Sequence, residues 1–394
     1  LDGVGIGALP DAYEYNNVTN CNSLKNVIEA MKDVNLYNLE LLGLGSIERI
    51  SRLRSDNYKS LTCKLAPYTR ANDSVPLHWE MMGILRESFP VYENGLPDEM
   101  IKVIEKETGY KFLGNITVTK TDQLELLRKE HVKTGNPVIY CTNDSVVQII
   151  ATPEIIPLDE LYRVTEIISR ILFRKNAILR VVAKPFTIKD GEFLRLEHLR
   201  KDYTLPSPIE NNILFLISEK NIPSIAIGKV ADFFPNVSFV KTIKRNCNKE
   251  HLEVIAECLK RDENELIFAN LLDFDTMGHS KDVQGYYKKL EEFDNYLLKL
   301  TSSINDDDLL IITGDHGCDP TIKSVKTHTR EYVPLIVYKR KSIVGFNLGI
   351  IKPYVVIAYI LALYYGLTDV LKRYEKNISP NSTIKYLHKY VKNV

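Results

Sequence analysis

The chain has 394 residues, 51 basic (Lys+Arg) against 51 acidic (Asp+Glu), with 44% hydrophobic and 26% charged residues. A formal charge of zero excludes the broad basic footprint of a nucleic-acid coat or a membrane-surface binder. Ordinary apolar and charged fractions exclude wholesale disorder, collagen and coiled coil, and the length suits roughly two to three domains around a deep site.

Six cysteines (Cys21, Cys63, Cys141, Cys247, Cys258, Cys318) lie far apart with no CxxC pair. That argues against a disulfide framework or a thiolate zinc site and for a reducing, cytosolic compartment. The chain opens Leu-Asp-Gly, without a basic n-region or apolar h-region, so no secretory leader is expected. It also opens without Met, so further residues are expected ahead of Leu1 in the natural protein.

In chain order, the first feature is GVGIG at 3–7. It lacks the GxGxxG spacing of a dinucleotide loop, and a tight turn exposing Asp2 is the better use of these glycines. Next comes DSVPLHWEMMG at 73–83, where Ser74 follows an acid and precedes the only Trp. A metal-activated hydroxyl nucleophile and an Asp-Ser helix cap both account for it.

From about 93 to 206 the texture changes to helix-rich charged segments (99–107, 121–131, 158–173), a strand at 137–141 and a basic run from Lys189 to Asp202. This region reads as an inserted second domain, giving core 1–92, cap 93–206 and core 207–394. Lys184, Arg195, Arg200 and, further on, Lys229 are cations able to bind phosphate or to form a solvated basic face.

Apolar runs at 213–217, 225–227, 266–272, 309–312 and 333–338 are predicted as buried strands. Helices are predicted over 249–260 and 283–303, where apolar residues recur every three or four positions. Strand-helix alternation predicts an α/β fold with a largely parallel sheet. The apolar stretch 353–367 falls short of the ~20 residues that cross a bilayer, so a buried helix is expected and no membrane partner.

Acidic and histidine residues follow two of these strands. Asp275 and His279 are four apart, Asp315 and His316 adjacent, and His328 lies twelve beyond His316. An Asp and a His four apart share a helix face or span a tight turn and can reach one ion. Carboxylates and imidazoles are ordinary zinc or manganese ligands, and strand ends are where open α/β sheets bind ligands.

Taken together, LDGVGIGALPDA (1–12), HWEMMG (78–83), YCTNDSVVQI (140–149), RVVAKPF (180–186), IAIGKV (225–230), DFDTMGH (273–279), GDHGCDPT (314–321) and HTREYVPLIVY (328–338) occur in the order seen in phosphopentomutases. The sequence resembles that family, within the alkaline phosphatase superfamily and near the cofactor-independent phosphoglycerate mutases, from residue 1 to about 340. The resemblance implies an alkaline-phosphatase-like core, a central mostly parallel sheet flanked by helices, with a smaller α+β cap inserted. It also implies that the family's first metal Asp, here Asp2, ends a core strand, so a strand is expected ahead of it.

The resemblance implies two divalent ions, usually Mn2+: one held by Asp2, Asp315, His316 and the hydroxyl of Ser74, the other by Asp275, His279 and His328. Ser74 stands at the family's nucleophilic, phosphorylated Thr. Thr142, Asp144 and Val146 match sugar-contacting positions, while Lys184, Arg195, Arg200 and Lys229 match positions holding the distal phosphate. Lys184 stands where the motif usually has Arg. The loop here reads Ala71-Asn72-Asp73-Ser74 in place of Gly-Lys-Asp-Thr, and the Asp275-to-His279 spacing is one residue shorter than usual.

The implied function is interconversion of ribose or 2-deoxyribose 1-phosphate and 5-phosphate in nucleoside salvage. It would be primed by a sugar bisphosphate such as glucose 1,6-bisphosphate and carried out by a monomer with no nucleic-acid partner. Two rivals stand beside it: a two-metal phosphatase or phosphoglycerate mutase of the superfamily, and a pseudoenzyme that keeps the fold as a binding protein.

Overall fold

A computed structural model describes the chain except residues 16–17, 119–120, 143–144, 262, 326, 343 and 393–394. It divides into two compact units. One comprises Leu1–Glu87, Pro208–Phe233 and Val237–Val394, the other Ser88–Ser207 with Phe234–Asn236.

The first unit begins its strands with β1 (Ser60–Leu65). The second holds β2 (Leu113–Thr117), β3 (Val138–Thr142), β4 (Val146–Ala151), β5 (Arg180–Lys189), β6 (Glu192–Arg195) and β7 (Lys201–Thr204). The chain then returns to the first unit with β8 (Ser224–Ile227), β9 (Lys241–Ile243), β10 (Leu266–Ala269), β11 (Leu310–Thr313), β12 (Val333–Tyr338) and β13 (Phe346–Ile351).

The order β10-β8-β9 forms an all-parallel sheet. The order β11-β12-β1-β13 forms a second sheet in which β12 runs antiparallel to both neighbours and β1 pairs parallel with β13. Helices lie against these strands. The longest, Val283–Ser303, starts at Asp282, whose carboxylate accepts from Gly285 N at 2.8 Å. It buries Tyr286, Leu290, Phe293, Leu297 and Leu300, one stripe at three- and four-residue spacing, against Val4, Ile6, Leu24 and Ile312.

The helix Val356–Tyr364 is buried from Val356 to Leu363, as expected for a core helix, and no helix among the described residues is long and apolar enough to cross a membrane. One sequence expectation is corrected. Residues 213–217 are not a strand but part of the helix Ile213–Glu219, whose cap Asn212 accepts from Leu214 N at 3.1 Å. A short apolar run carries no period, and the asparagine before it was the helix signal.

The chain's first residues sit between the two sheets. Leu1 N donates to Thr313 O at 2.8 Å and Asp2 N to Leu271 O at 3.1 Å, so Asp2 lies level with the carboxyl ends of β11 and β10. Beneath them is an apolar cleft of about 250 Å3 lined by Leu1, Phe268, Ile311, Phe293 and Leu361.

In the second unit, β2-β3-β4-β5-β6 form one sheet, with β7 also on β5. Alternation puts Ile139 and Cys141 on one face, against Leu161, Val164 and Ile168 of the helix Leu158–Arg174. Val138 and Tyr140 face the other way, packing with Leu124, from the helix Thr121–Thr134, and with Phe186.

Candidate metal centre

Five segments of the first unit bring polar residues to one place. Asp2 lies in the opening turn. Asp275 and His279 lie on the helix Asp273–Ser280, which follows β10, and Asp315 and His316 follow β11. His328 is in the loop before β12, and Ser74 is the first residue of the helix Ser74–Met81. Two glycines allow this closeness. Gly3 has φ +74, and a Cβ there would meet Asp275 Cα at 2.9 Å; a Cβ on Gly278 would meet Cys318 O at 2.3 Å.

Asp2, Asp315 and His316 bring one ligand atom each within 4.8 Å of one another, all three residues buried. His316 Nε2 is 3.3 Å from Asp315 Oδ2, 3.5 Å from Asp2 Oδ1 and 3.0 Å from Ser74 Oγ. Asp275 belongs to two further groups, one with His316 and His328 and one with His279 and Cys318. Its Oδ1 is 3.7 Å from His328 Nε2 and its Oδ2 3.4 Å from His279 Nε2. The four-residue spacing therefore works on a helix. The rings of His316 and His328 stack at 3.8 Å between centroids.

Backbone carbonyls fix the tautomers. His328 Nδ1 faces Asn72 O at 2.8 Å and His316 Nδ1 faces Gly317 O at 3.3 Å. A carbonyl only accepts, so each Nδ1 carries a proton and Nε2 is the nitrogen of each ring that faces the carboxylates.

Charge at the cluster is unbalanced. Burial, then the charges of Asp315 and Asp275, push the Asp2 carboxyl up to about 8. Burial works against protonation of His316, but Asp315, Asp2 and Asp275 raise it to about 9. Burial and the neighbouring His316 push His328 down to about 4. For Asp275, burial is outweighed by the His279 hydrogen bond and the charges of His328 and His316, which hold it well below the usual carboxylate range.

Asp315 Oδ2 and Asp275 Oδ1 are buried without a hydrogen-bond partner. Buried carboxylate oxygens without a hydrogen-bond partner are costly unless a cation satisfies them. Oxygen and nitrogen donors of this kind suit a divalent transition metal. Cys318 was not singled out from sequence; burial and the Asp275 charge push its thiol far up, so it stays protonated and donates to Asp275 O at 3.9 Å.

Other residues were missed because their roles depend on packing. His78, one turn after Ser74, is buried with Nδ1 2.7 Å from Ser74 O, and Asn270 Nδ2 donates to Asp2 Oδ2 at 3.0 Å. The motif HWEMMG was the signal for His78. Asp73 sits at the N-cap of the Ser74 helix without a side-chain cap bond, so the capping role expected of it is not the one it plays. Lys229, just past β8, is exposed, and its charge offsets a small part of the rise that burial and the neighbouring acids impose on Asp2.

The remaining sequence candidates lie in the second unit. Thr142 ends β3 and pairs with Val146, the first residue of β4. Asp144 lies outside the described residues. Lys184, Arg195 and Arg200 line a small pocket with Arg128, Tyr140 and Glu197. The Arg200 fork is engaged by Asp202 at 2.6 and 2.7 Å.

The α/β fold carries Asp/His clusters able to hold a metal ion at its strand ends, and a sequence model of the Metalloenzyme superfamily matches residues 224–353. The chain is 40% identical over 374 residues to a phosphopentomutase of Dictyoglomus thermophilum, covering 94% of each. It is 37% identical over 375 residues to one of Acetivibrio thermocellus, covering 94% of this chain and 96% of that one. A phosphopentomutase of Clostridioides difficile is 38% identical over 355 residues, with 89% and 90% covered. The chain belongs to the phosphopentomutase family, and it is an isomerase of the phosphotransferase type.

Proposed function

We propose that this chain interconverts ribose or 2-deoxyribose 1-phosphate and the 5-phosphate through a phosphorylated Ser74. The observation that carries the reading is the place of that hydroxyl, at a helix start, 3.0 Å from His316 Nε2 and 3.4 Å from Asp2 Oδ1. Ser74 replaces the family's threonine without loss of the oxygen.

Asp2, Asp315, His316 and the Ser74 hydroxyl would hold one divalent ion, and Asp275, His279 and His328 a second. Mn2+ is proposed for both. Bound there, such ions supply charge stabilisation to the transferred phosphoryl group and the oxygens on either side of it.

Ser74 holds the phosphoryl group at the N-terminus of its helix, where the first backbone N–H groups lack intrahelical partners and favour an anion. The free hydroxyl oxygen of the pentose phosphate bonds to phosphorus as the bond from phosphorus to Ser74 Oγ breaks. The hydroxyl proton ends, net, on Ser74. The product is the 1,5-bisphosphate, and Ser74 then recovers the phosphoryl group from the other end by the same exchange reversed. Thr142, Asp144 and Val146 would contact the sugar, and Lys184, Arg195, Arg200 and Lys229 would hold the phosphate that is not transferred.

Glucose 1,6-bisphosphate is proposed to charge Ser74 at the start. Nucleoside salvage in the cytoplasm is the proposed setting, which suits six cysteines that are all free thiols. Turnover of ribose 1-phosphate with Mn2+, with and without the bisphosphate, tests the reading. Primer-dependent ribose 5-phosphate is the expected result. Release of inorganic phosphate without isomerisation would make the chain a two-metal phosphatase, and no turnover with metal bound would make it a binding protein.

A further inference from the structure

The segment before Ser74 is held in an unusual way. Four consecutive carbonyls, those of Thr69, Arg70, Ala71 and Asn72, each accept from a side chain. Arg330 Nη2 donates to Thr69 O at 3.0 Å, Tyr15 Oη to Arg70 O, Arg330 Nη1 to Ala71 O at 3.3 Å, and His328 Nδ1 to Asn72 O at 2.8 Å. The Asn72 amide returns a bond to His328 O at 3.2 Å.

Arg330 is the hub. It is 4% exposed, its Nε and Nη2 face both oxygens of Asp11 at 3.2 and 3.0 Å, and the Tyr15 ring lies 4.9 Å from its Cζ. One planar guanidinium thus joins the segment after the opening turn, the loop ahead of Ser74 and the strand entry that carries His328. A lysine ammonium is a point charge and has no such fork.

We propose that Arg330, anchored by Asp11, is a positioning residue that sets the Ser74 hydroxyl against His316 and Asp2 by fixing the Thr69 and Ala71 carbonyls. Its own hydrogen bonds go to Asp11, Thr69 and Ala71 and to none of the candidate metal ligands. The proposal rests on the mutase reading of Ser74, and it gives the loop, which has no glycine between Ala66 and Met82, a source of rigidity outside its own backbone. A reacting atom displaced by about 1 Å costs on the order of 10²-fold in rate, so releasing two carbonyls acts on turnover rather than on binding.

The test uses the full chain loaded with Mn2+, as wild type, Arg330→Lys and Asp11→Asn. Three quantities are read: kcat and KM for ribose 1-phosphate with primer, Mn2+ affinity by calorimetry, and amide hydrogen exchange over residues 69–77 without substrate. The expected result for Arg330→Lys is a kcat lower by about 10- to 100-fold with KM nearly unchanged, Mn2+ affinity weakened by much less than kcat because the Ser74 hydroxyl is one of four ligands to one ion, and faster exchange at 69–77. Asp11→Asn shifts the same quantities in the same direction by less.

A folded Arg330→Lys with wild-type kcat and wild-type exchange overturns the proposal. So does a loss of kcat that is matched by loss of Mn2+. If Arg330→Lys does not fold, Asp11→Asn decides by the same criteria. Absence of mutase turnover in the wild type would overturn the mutase reading instead, and exchange at 69–77 would still decide whether Arg330 holds the loop.

Discussion

Ser74 Oγ lies 3.0 Å from His316 Nε2, although the two residues are 242 apart in the chain. His316 also faces Asp2 and Asp315 within 3.5 Å and stacks on His328, so one imidazole connects the hydroxyl to both groups of carboxylates. Through this contact the serine belongs to the buried cluster rather than to an ordinary helix cap.

Gly3 is where the opening turn meets the Asp275 helix. With φ at +74 and Asp275 Cα 2.9 Å from a would-be Cβ, Gly3→Ala both strains the backbone and wedges Asp2 from Asp275. The left-handed conformation alone costs about 1–2 kcal/mol for a residue with a Cβ. The expected outcome is a folded protein with a modestly lower melting temperature and Mn2+ affinity weaker by about 10- to 100-fold, as when supporting partners of metal ligands are lost. Titration calorimetry beside thermal melting reads both, and unchanged Mn2+ affinity would contradict the wedge.

Removing metal has its own signature. A cation that binds only the folded state adds about 2.7 kcal/mol at a hundredfold excess over Kd, so chelation should lower the melting temperature and Mn2+ should restore it. His279→Ala, which leaves Asp2, Asp315 and His316 intact, should reduce the stoichiometry from two ions to one. Retention of two in that variant would exclude His279 as a ligand.

Lys184 gives a prediction in pH. Burial, then the charges of Arg200 and Arg195, lower its ammonium to about 8. The charge is therefore present below that pH and lost as pH rises through it, while the substrate phosphate, with its second pKa at about 6, stays a dianion. KM for the pentose phosphate should be flat near neutrality and rise above pH 8, by about 10-fold or more if one charge-assisted bond is lost. Lys184→Arg stays charged, so its KM should stay flat to pH 9. A parallel rise in that variant would place the titrating group elsewhere.

The strands LIFA and LIIT and the acids just beyond them were readable because a buried strand is a short apolar run and its carboxyl end is where the chain turns toward ligands. The helix Val283–Ser303 was readable from its stripe. Residues 213–217 were misread because five apolar residues in a row have no period to separate helix from strand. Arg330 and Asp11 were invisible for a different reason: each is an ordinary charged residue until folding brings a loop more than 250 positions away onto the guanidinium. The partnership of Asn270 with Asp2 is equally tertiary.

The most direct measurement concerns Ser74 itself. The Mn2+-loaded chain would be incubated with glucose 1,6-bisphosphate carrying labelled phosphate, and the phosphorylated residue mapped by peptide mass spectrometry before and after adding ribose 1-phosphate. The account predicts label on Ser74 alone, discharged on addition of the pentose phosphate into ribose 1,5-bisphosphate, and no label in Ser74→Ala. Label on another residue, or wild-type turnover in Ser74→Ala, would contradict it.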